Sequence, residues 1–343
     1  MKTKILLNGV GRIGKAILKQ LLQNDDFEIL AINEINPYID NIVYSINYDS
    51  TYGNMSDKFK VIDDNFIQNS KAKIKISNHK TLHDINLENI DIIIDASGVK
   101  DDLKAMKKLP VKAVFLTHPN ANADINIVLG ANEDNLDINT HKVISTSSCN
   151  ATALLPALKL IDETKEIICG DIVTIHPLLN HQRVLDGSFI GSATRNVDYN
   201  FEFGRSSTQN IIPSKTTTID ACSYVLDKFN HDLISSNSLR VPTDTVGAIN
   251  VTLFTKEKSS KEEIINLFEE CEKTQKFPVV LNNYDPLVSS DFKQENKTTI
   301  IDHRYTDVKN GNMIKLLVWY DNEWGYASKT VDILKHYINK SNS

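Results

Sequence analysis

Cys149 follows Ser147-Ser148 where the short apolar run Val143 to Ser145 gives way to apolar residues at helical spacing, namely Leu154, Leu155, Leu158, Leu160 and Ile161. A thiol there stands at or near a helix N-terminus, whose partial positive charge lowers its pKa and favours the nucleophilic thiolate. Backbone N–H groups at the same turn can stabilise an oxyanion once the sulfur has attacked a carbonyl. His176 closes the run Asp171 to Ile175, where its ring projects beyond a strand end, and a Cys–His pair of this kind serves as nucleophile and general base. The other cysteines, Cys169, Cys222 and Cys271, keep the default reading of small hydrophobes in a reduced compartment. All four lie 20 or more residues apart and form neither a CxxC nor a metal-ligand pattern with the nine histidines, so neither a disulfide framework nor a metal is expected.

A second constellation lies at the start of the chain. Gly9-Val10-Gly11-Arg12-Ile13-Gly14 directly follows the apolar run Ile5-Leu6-Leu7 and precedes the helical pattern Lys15 to Leu22. Between a strand and a helix these glycines permit a tight turn, close approach of backbone to a pyrophosphate and close helix-to-strand packing. A second strand ends at Asn33-Glu34, at the distance of about 20 residues where an acidic side chain accepts hydrogen bonds from the adenosine ribose hydroxyls. Glu34 would repel a 2′-phosphate, which favours NAD over NADP.

These residues need a scaffold, and the pattern of the chain supplies one. Residues 1–150 alternate helical patterns with apolar runs at Lys4 to Asn8, Phe27 to Asn33, Ile92 to Ala96, Ala113 to Leu116, Ile125 to Leu129 and Val143 to Ser145. That alternation predicts an α/β, doubly wound, mostly parallel sheet, and Ile92-Ile93-Ile94 lacks a polar face because parallel strands are covered on both sides. Between Tyr52 and Asp84 the polar sequence predicts hairpins or an edge excursion. Beyond Cys149, longer strand patterns at Asp171 to Ile175, Leu239 to Val241, Ala248 to Leu253 and Met313 to Tyr320 predict a second, α+β domain. Ser260-Lys261-Glu262-Glu263 forms a capping box for a helix to about Thr274, and Ala327 to Ile338 reads as an amphipathic C-terminal helix. The polar stretch Asn196 to Thr218 is expected to be a long functional loop.

The chain has 343 residues with a formal charge of -6 and no long run of one sign, so its field repels nucleic acid and anionic membrane. Apolar stretches fall short of the roughly 20 residues a membrane helix requires, and Asn8-Gly9 interrupts the N-terminal run before a signal-peptide core develops. A soluble, cytoplasmic protein is expected, with no nucleic-acid or membrane partner.

Taken together the motifs resemble the phosphorylating glyceraldehyde-3-phosphate dehydrogenase family, which includes erythrose-4-phosphate dehydrogenase. The similarity covers nearly the whole chain. It includes Asn8 to Gly14, Tyr48-Asp49-Ser50-Thr51-Tyr52-Gly53, Ser148-Cys149, Thr174-Ile175-His176, Asn210-Ile211-Ile212-Pro213, Arg240-Val241-Pro242-Thr243 and Trp319-Tyr320-Asp321-Asn322-Glu323-Trp324-Gly325-Tyr326. The resemblance implies an NAD-binding Rossmann domain over 1–148, a catalytic domain over 149–321 and a C-terminal helix, 322–343, that returns to the first domain, usually in a homotetramer. It implies Cys149 as nucleophile and His176 as base. Asn322 would orient the nicotinamide carboxamide, Ser97 and Thr117 would line the cofactor site, and Ser148, Asn150, Thr216 and Arg240 would face substrate or anion. The implied reaction is thiolate attack on an aldehyde, hydride transfer to NAD, and release of a thioester by phosphate or by water.

Departures from the family pattern fall at the chemistry. Where the family usually has Thr-Thr-Asn after the cysteine, Asn150, Ala151 and Thr152 stand here, so a hydroxyl that often binds phosphate becomes a carboxamide. Leu179 replaces a threonine that binds substrate phosphate, and Asn180-His181 follows in place of Asn-Asp. Phe203-Gly204-Arg205 retains only the last of several arginines, with Arg183, Arg195, Arg205 and Lys215 as possible replacements. Thr217 replaces the glycine after the threonine position, Thr216. Ile32-Asn33-Glu34 and Thr117-His118-Pro119 are similar to the erythrose-4-phosphate dehydrogenase branch, which tends to hydrolyse its thioester. The expectation is therefore oxidation of a small phosphorylated aldose, with erythrose 4-phosphate ahead of glyceraldehyde 3-phosphate. The alternatives are a phosphorylating glyceraldehyde-3-phosphate dehydrogenase and an NAD-binding interaction protein with reduced turnover.

Overall fold

The run Ile92-Ile93-Ile94, apolar on both faces, lies in the middle of a parallel sheet in the computed structural model, which describes residues 2–99, 102–188 and 201–342. Strand Ile92–Asp95 is flanked by Thr3–Asn8 on one side and Ala113–Leu116 on the other, in register Ile5 with Ile92 and Ile92 with Ala113. The parallel strands run in the order Lys73–Ser77, Phe27–Asn33, Thr3–Asn8, Ile92–Asp95, Ala113–Leu116, Val143–Ser145 and Ile125–Asn126. The first six stand in chain order 3-2-1-4-5-6, the doubly wound arrangement whose ligands bind beyond the strand C-termini where the order reverses. Here that switch lies between Asn8 and Asp95. The polar excursion adds two antiparallel strands, Lys60–Asp63 and Phe66–Gln68, to the sheet edge beside Lys73–Ser77.

The apolar run after Ile125 yields only Ile125–Asn126 as strand. The N–H of Val128 donates to Oδ1 of Asn132 at 3.0 Å and Gly130 turns with φ +80°, so the chain leaves the ladder although Ile127, Val128 and Leu129 stay buried.

The chain divides into two compact units, one formed by Met1–Ile127, Asp134–Ser147 and Thr330–Ser343, the other by Val128–Glu133 and Ser148–Lys329. In the first unit Tyr337, on the C-terminal helix Trp324–Asn342, meets Phe115 of the sheet edge-to-face with ring centroids 5.6 Å apart. The second unit holds a mixed sheet of eight strands among the described residues: Ile212–Ser214, Ile234–Arg240, Ile167–His176, Gly247–Thr255, Met313–Tyr320, Thr299–Asp302 and Val280–Asn283, with Asp307–Lys309 beside Met313–Tyr320. Helix Cys149–Lys165 packs on this sheet with an almost wholly buried first half. Pro156 sits inside that helix and has no N–H to give the carbonyl of Thr152. The hydroxyl of Thr298 approaches that carbonyl at 3.4 Å, and Thr299 donates to the next one, on Ala153, at 2.9 Å. These bonds tie the helix to the sheet while repairing its ladder.

Helix Lys261–Thr274 opens with the full capping box, Glu263 N–H to Ser260 Oγ and Ser260 N–H to Glu263 Oε2. Residues 196–200 of the expected functional loop lie outside the described residues. Its remainder carries a short 3-10 turn, Phe201–Gly204, and the strand Ile212–Ser214 paired to Ile234–Arg240, so it is more regular than its polarity suggests. No helix among the described residues is long and apolar enough to cross a membrane.

Candidate active site

Ser147 adopts φ +60°, the left-handed turn that swings the chain from strand into helix. Ser148 then caps the helix, its Oγ accepting the Ala151 N–H at 3.2 Å, and Cys149 is the first helical residue. His176 ends strand Ile167–His176 beside Arg240, the last residue of the neighbouring parallel strand. The sulfur of Cys149 lies 3.8 Å from Nε2 of His176 and 3.6 Å from Oδ1 of Asn150. Nδ1 of His176 lies 2.9 Å from the carbonyl of Pro177. A carbonyl only accepts, so Nδ1 carries the ring proton and Nε2 presents a lone pair to the sulfur.

The environment reverses the pKa expected for a cysteine at a helix N-terminus. Burial pushes the thiol up to about 11, and the Glu323 charge adds to this. The Arg240 charge and the N–H groups of Asn150 and Cys149 work against the rise without overcoming it. Burial, followed by the Arg240 charge, pushes His176 down to about 3, against the pull of the Pro177 carbonyl. The resting pair is thus a neutral thiol facing a neutral imidazole that can take its proton.

Around this pair stand groups suited to an anion. Nε and Nη1 of Arg240 are buried without a hydrogen-bond partner, an arrangement that calls for an acceptor. Ser148 uses its oxygen as the cap acceptor and keeps its proton to donate. Asn150, expected to face an anion, instead spends its carboxamide internally: Oδ1 accepts from Tyr320 Oη at 2.5 Å and Nδ2 donates to Thr218 Oγ1 at 2.9 Å. Thr218 Oγ1 lies 2.6 Å from Thr216 Oγ1.

The departures among the phosphate positions are partly explained by packing. His181 meets Phe203 edge-to-face at 5.7 Å, so two of the substitutions contact each other. The Leu179 N–H is taken by Gln182 Oε1 at 2.7 Å. Arg205 pairs with Asp186 at 3.2 Å and Arg183 donates to the Ser188 carbonyl, both near the surface. Lys215 is exposed, and Arg195 lies outside the described residues. Nothing in the structure explains Ala151 beyond its complete burial.

The first unit holds the glycine-rich turn at the topological switch. Gly9 has φ +89°, and a Cβ there would lie 2.7 Å from Ser97 Cα; one on Gly14 would lie 2.0 Å from the Gly9 carbonyl oxygen. At Gly11, the N-cap of helix Arg12–Leu21, a Cβ would meet nothing within 4 Å. Internal packing therefore demands glycine at 9 and 14, whereas glycine at 11 leaves an open face before a helix N-terminus, which fits a dinucleotide pyrophosphate. Arg12 pairs with Asp49 at 2.8 Å and lies over the Tyr52 ring, Lys15 pairs with the same carboxylate at 2.9 Å, and Ile13 is half-buried in the first turn.

Glu34 accepts the Val10 N–H at 2.9 Å on Oε2, so the carboxylate stands against the turn. Asn33 has no side-chain capacity left for a ligand. Its Oδ1 accepts from Ser77 Oγ and His79 N–H, while Nδ2 donates to Asn8 Oδ1 and the His79 carbonyl. Ser97 Oγ donates to Asp95 Oδ1 at 2.7 Å and Thr117 Oγ1 to the Asp95 carbonyl at 3.0 Å. In the second unit Asn322 Oδ1 accepts from Val246 N–H at 3.1 Å and Thr245 Oγ1 at 3.2 Å. A backbone N–H requires an oxygen opposite it, so Nδ2 of Asn322 is the end left to donate.

Sequence reasoning passed over residues in each unit that hold these side chains. Tyr320 lay inside a motif valued for Asn322. Val246, with φ +66° on a β-branched residue, holds Asn322 by strained backbone that leaves no local signature. Asp95, fully buried with Oδ2 unpartnered, was detectable as the one charge ending an isoleucine run.

Comparison with known proteins identifies a family over most of the chain. The family described as glyceraldehyde 3-phosphate dehydrogenase, NAD binding domain, matches residues 3–103, and the one described as glyceraldehyde 3-phosphate dehydrogenase, C-terminal domain, matches residues 148–322. The chain is similar to glyceraldehyde-3-phosphate dehydrogenase 2 of Bacillus subtilis (strain 168), with 31% identity over 341 residues covering 98% of this chain and 97% of the relative. A protein of the same name from Staphylococcus aureus (strain MRSA252) is 33% identical over 344 residues, covering 97% and 95%. The glyceraldehyde-3-phosphate dehydrogenase of Priestia megaterium (strain DSM 319 / IMG 1521) is 30% identical over 345 residues, covering 99% of each.

Proposed function

The chain belongs to the glyceraldehyde-3-phosphate dehydrogenase family of NAD-dependent oxidoreductases, and from that premise we propose that it oxidises glyceraldehyde 3-phosphate through a thioester on Cys149, with inorganic phosphate as acyl acceptor. The observation that carries this is the lone pair of His176 Nε2 facing the Cys149 sulfur at 3.8 Å, its tautomer held by the Pro177 carbonyl.

In this reading the sulfur attacks the aldehyde carbon as Nε2 takes the thiol proton, giving a hemithioacetal. His176 passes that proton to the resulting alkoxide, forming the hemithioacetal hydroxyl, and accepts it back as the hydride leaves and the carbonyl re-forms as a thioester. NAD, when bound, supplies the hydride acceptor. Gly9, Gly11, Gly14 and the first-turn N–H groups of Arg12 and Ile13 would hold its pyrophosphate, with Asn33 contributing only through the backbone. Glu34 would accept from the ribose, Ser97 and Thr117 would line the same crevice, and Asn322 would offer Nδ2 to a carboxamide oxygen. Arg240, Ser148 and Thr216 would bind phosphate, and a homotetramer is the proposed assembly.

The relatives' names favour the triose over erythrose 4-phosphate, which the sequence motifs had put first. Leu179, which cannot donate a hydrogen bond from its side chain, keeps the longer aldose phosphate as the second reading. Both are tested by incubating the purified protein with NAD and either aldehyde, with and without inorganic phosphate, and following NADH. Phosphate-dependent NADH from the triose is expected. NADH from the erythrose compound without added phosphate would move the substrate and the acceptor, and silence with both, despite NAD binding, would leave the interaction-protein reading.

A further inference from the structure

We propose that Asn150 is a positioning residue that does not itself bind the anion: through a one-way chain of hydrogen bonds starting at Tyr320, it turns the Thr216 hydroxyl outward as the anion's donor. The inference rests on the proposed use of phosphate by this site.

The direction of the chain follows from what each atom can do. Tyr320 is fully buried, and its ring occupies the space a Cβ at Gly247 would need, 2.6 Å from both Cζ and Oη. A buried phenol must give its proton to an acceptor, and Asn150 is the one hydrogen-bond partner of its oxygen among the described residues. Tyr320 therefore donates to Asn150 Oδ1 at 2.5 Å, and the Cys149 sulfur lies 3.6 Å from the same oxygen. The phenol proton identifies that end of the carboxamide as oxygen, so Nδ2 donates to Thr218 Oγ1 at 2.9 Å. Having accepted from an amide, Thr218 passes its own proton to Thr216 Oγ1 at 2.6 Å, and its backbone N–H reaches the same oxygen at 3.2 Å. Both lone pairs of Thr216 are then filled from inside, and its proton must point away from the network. A hydroxyl so committed donates without the cost of choosing between donor and acceptor states, which suits an anion and no cation.

The geometry also explains how a carboxamide can stand where the family usually has a threonine. Asn150 reaches Thr218 and Tyr320 at once, so a direct ligand is exchanged for a fixed orientation of a ligand further along the chain.

The test is a double-mutant cycle on the NAD-loaded full chain, read as the inorganic phosphate concentration that half-protects Cys149 from iodoacetamide, with labelling located by mass spectrometry. Asn150→Ala and Thr216→Val are each expected to raise that concentration about tenfold, the worth of one hydrogen bond to a charged group, and the double variant no further than Thr216→Val alone. Tyr320→Phe, which keeps the ring against Gly247, repeats the cycle if Asn150→Ala does not fold. Effects that multiply in the double variant, an unchanged value in Asn150→Ala, or no protection of the wild type by phosphate would each overturn the inference. The wild-type NADH burst with the triose tests the proposed reaction separately: protection without a burst sinks the reaction and leaves the orientation of Thr216 standing.

Discussion

The Cys149 sulfur and the His176 ring sit within reach of a proton transfer, yet each is held in its neutral form, the thiol pushed up to about 11 and the imidazole down to about 3 by burial. The Arg240 charge lowers both, favouring thiolate and disfavouring imidazolium. Removing it should therefore raise the thiol pKa further. For Arg240→Gln, iodoacetamide labelling of Cys149 at a fixed mildly alkaline pH should slow on the order of tenfold, with the whole profile displaced to higher pH. A profile displaced to lower pH would show that the guanidinium does not face the sulfur. The location of Cys149 beside a helix start was legible in Ser148-Cys149 and the apolar spacing after it. Its pKa was not, because the helix terminus contributes a local field whereas desolvation is set by everything packed around the sulfur.

At the scale of elements, the glycine turn separates two demands that a motif merges. Gly14→Ala sets a Cβ against the Gly9 carbonyl oxygen at 2.0 Å, a backbone contact that cannot yield cheaply. It should destabilise the first unit by about 2 kcal/mol and weaken NAD binding as a consequence. Gly11→Ala meets nothing within 4 Å, so stability should stay within about 0.5 kcal/mol while NAD affinity falls by at least about tenfold. Thermal melts paired with NAD titrations check both, and an unchanged affinity in Gly11→Ala would remove the pyrophosphate from that face. The strand-turn-helix context was readable from Ile5 to Leu22 because the apolar period changes within a few residues. The same logic found the Ser260 capping box. It overran at Ile127 to Leu129, where buried apolar residues belong to a turn closed by Asn132, since apolarity reports burial and not pairing.

Across the whole molecule, pH acts on stability through groups the fold has desolvated. His176 ordinarily titrates near 6.5 and is held to about 3, so the unfolded chain binds a proton that the folded chain refuses between those values. Its contribution is fully present above pH 6.5 and is lost as the pH falls toward 3. The loss should reach about 2 kcal/mol by about pH 5, and urea unfolding of His176→Gln should show a correspondingly flatter dependence over that interval. His303, also lowered by burial, adds in the same direction. Asp49 adds a later, more acid phase: burial opposes its ionisation, but the Lys15 hydrogen bond, the Tyr52 N–H and the Arg12 charge hold it well below the usual carboxylate range. A wild-type profile flat from pH 6.5 to 5 would contradict the burial of a neutral His176.

From the amino-acid sequence alone came the elements and the residue types they carry: the glycine turn between a strand and a helix, the cysteine at a helix start, the histidine at a strand end, and the family those motifs resemble. Such features are written within a few neighbouring residues, where spacing, caps and turn types act. The tertiary structure decided what depends on residues far apart in the chain. It joined Asn150 to Thr218 and Tyr320, set Phe203 against His181, consumed the capacity of Asn33, and left two guanidinium nitrogens of Arg240 without partners. Hydrogen-bond direction and desolvation are properties of an environment assembled from many segments, so a side chain's type announces what it can do, and only its surroundings determine whether it faces inward or toward a ligand.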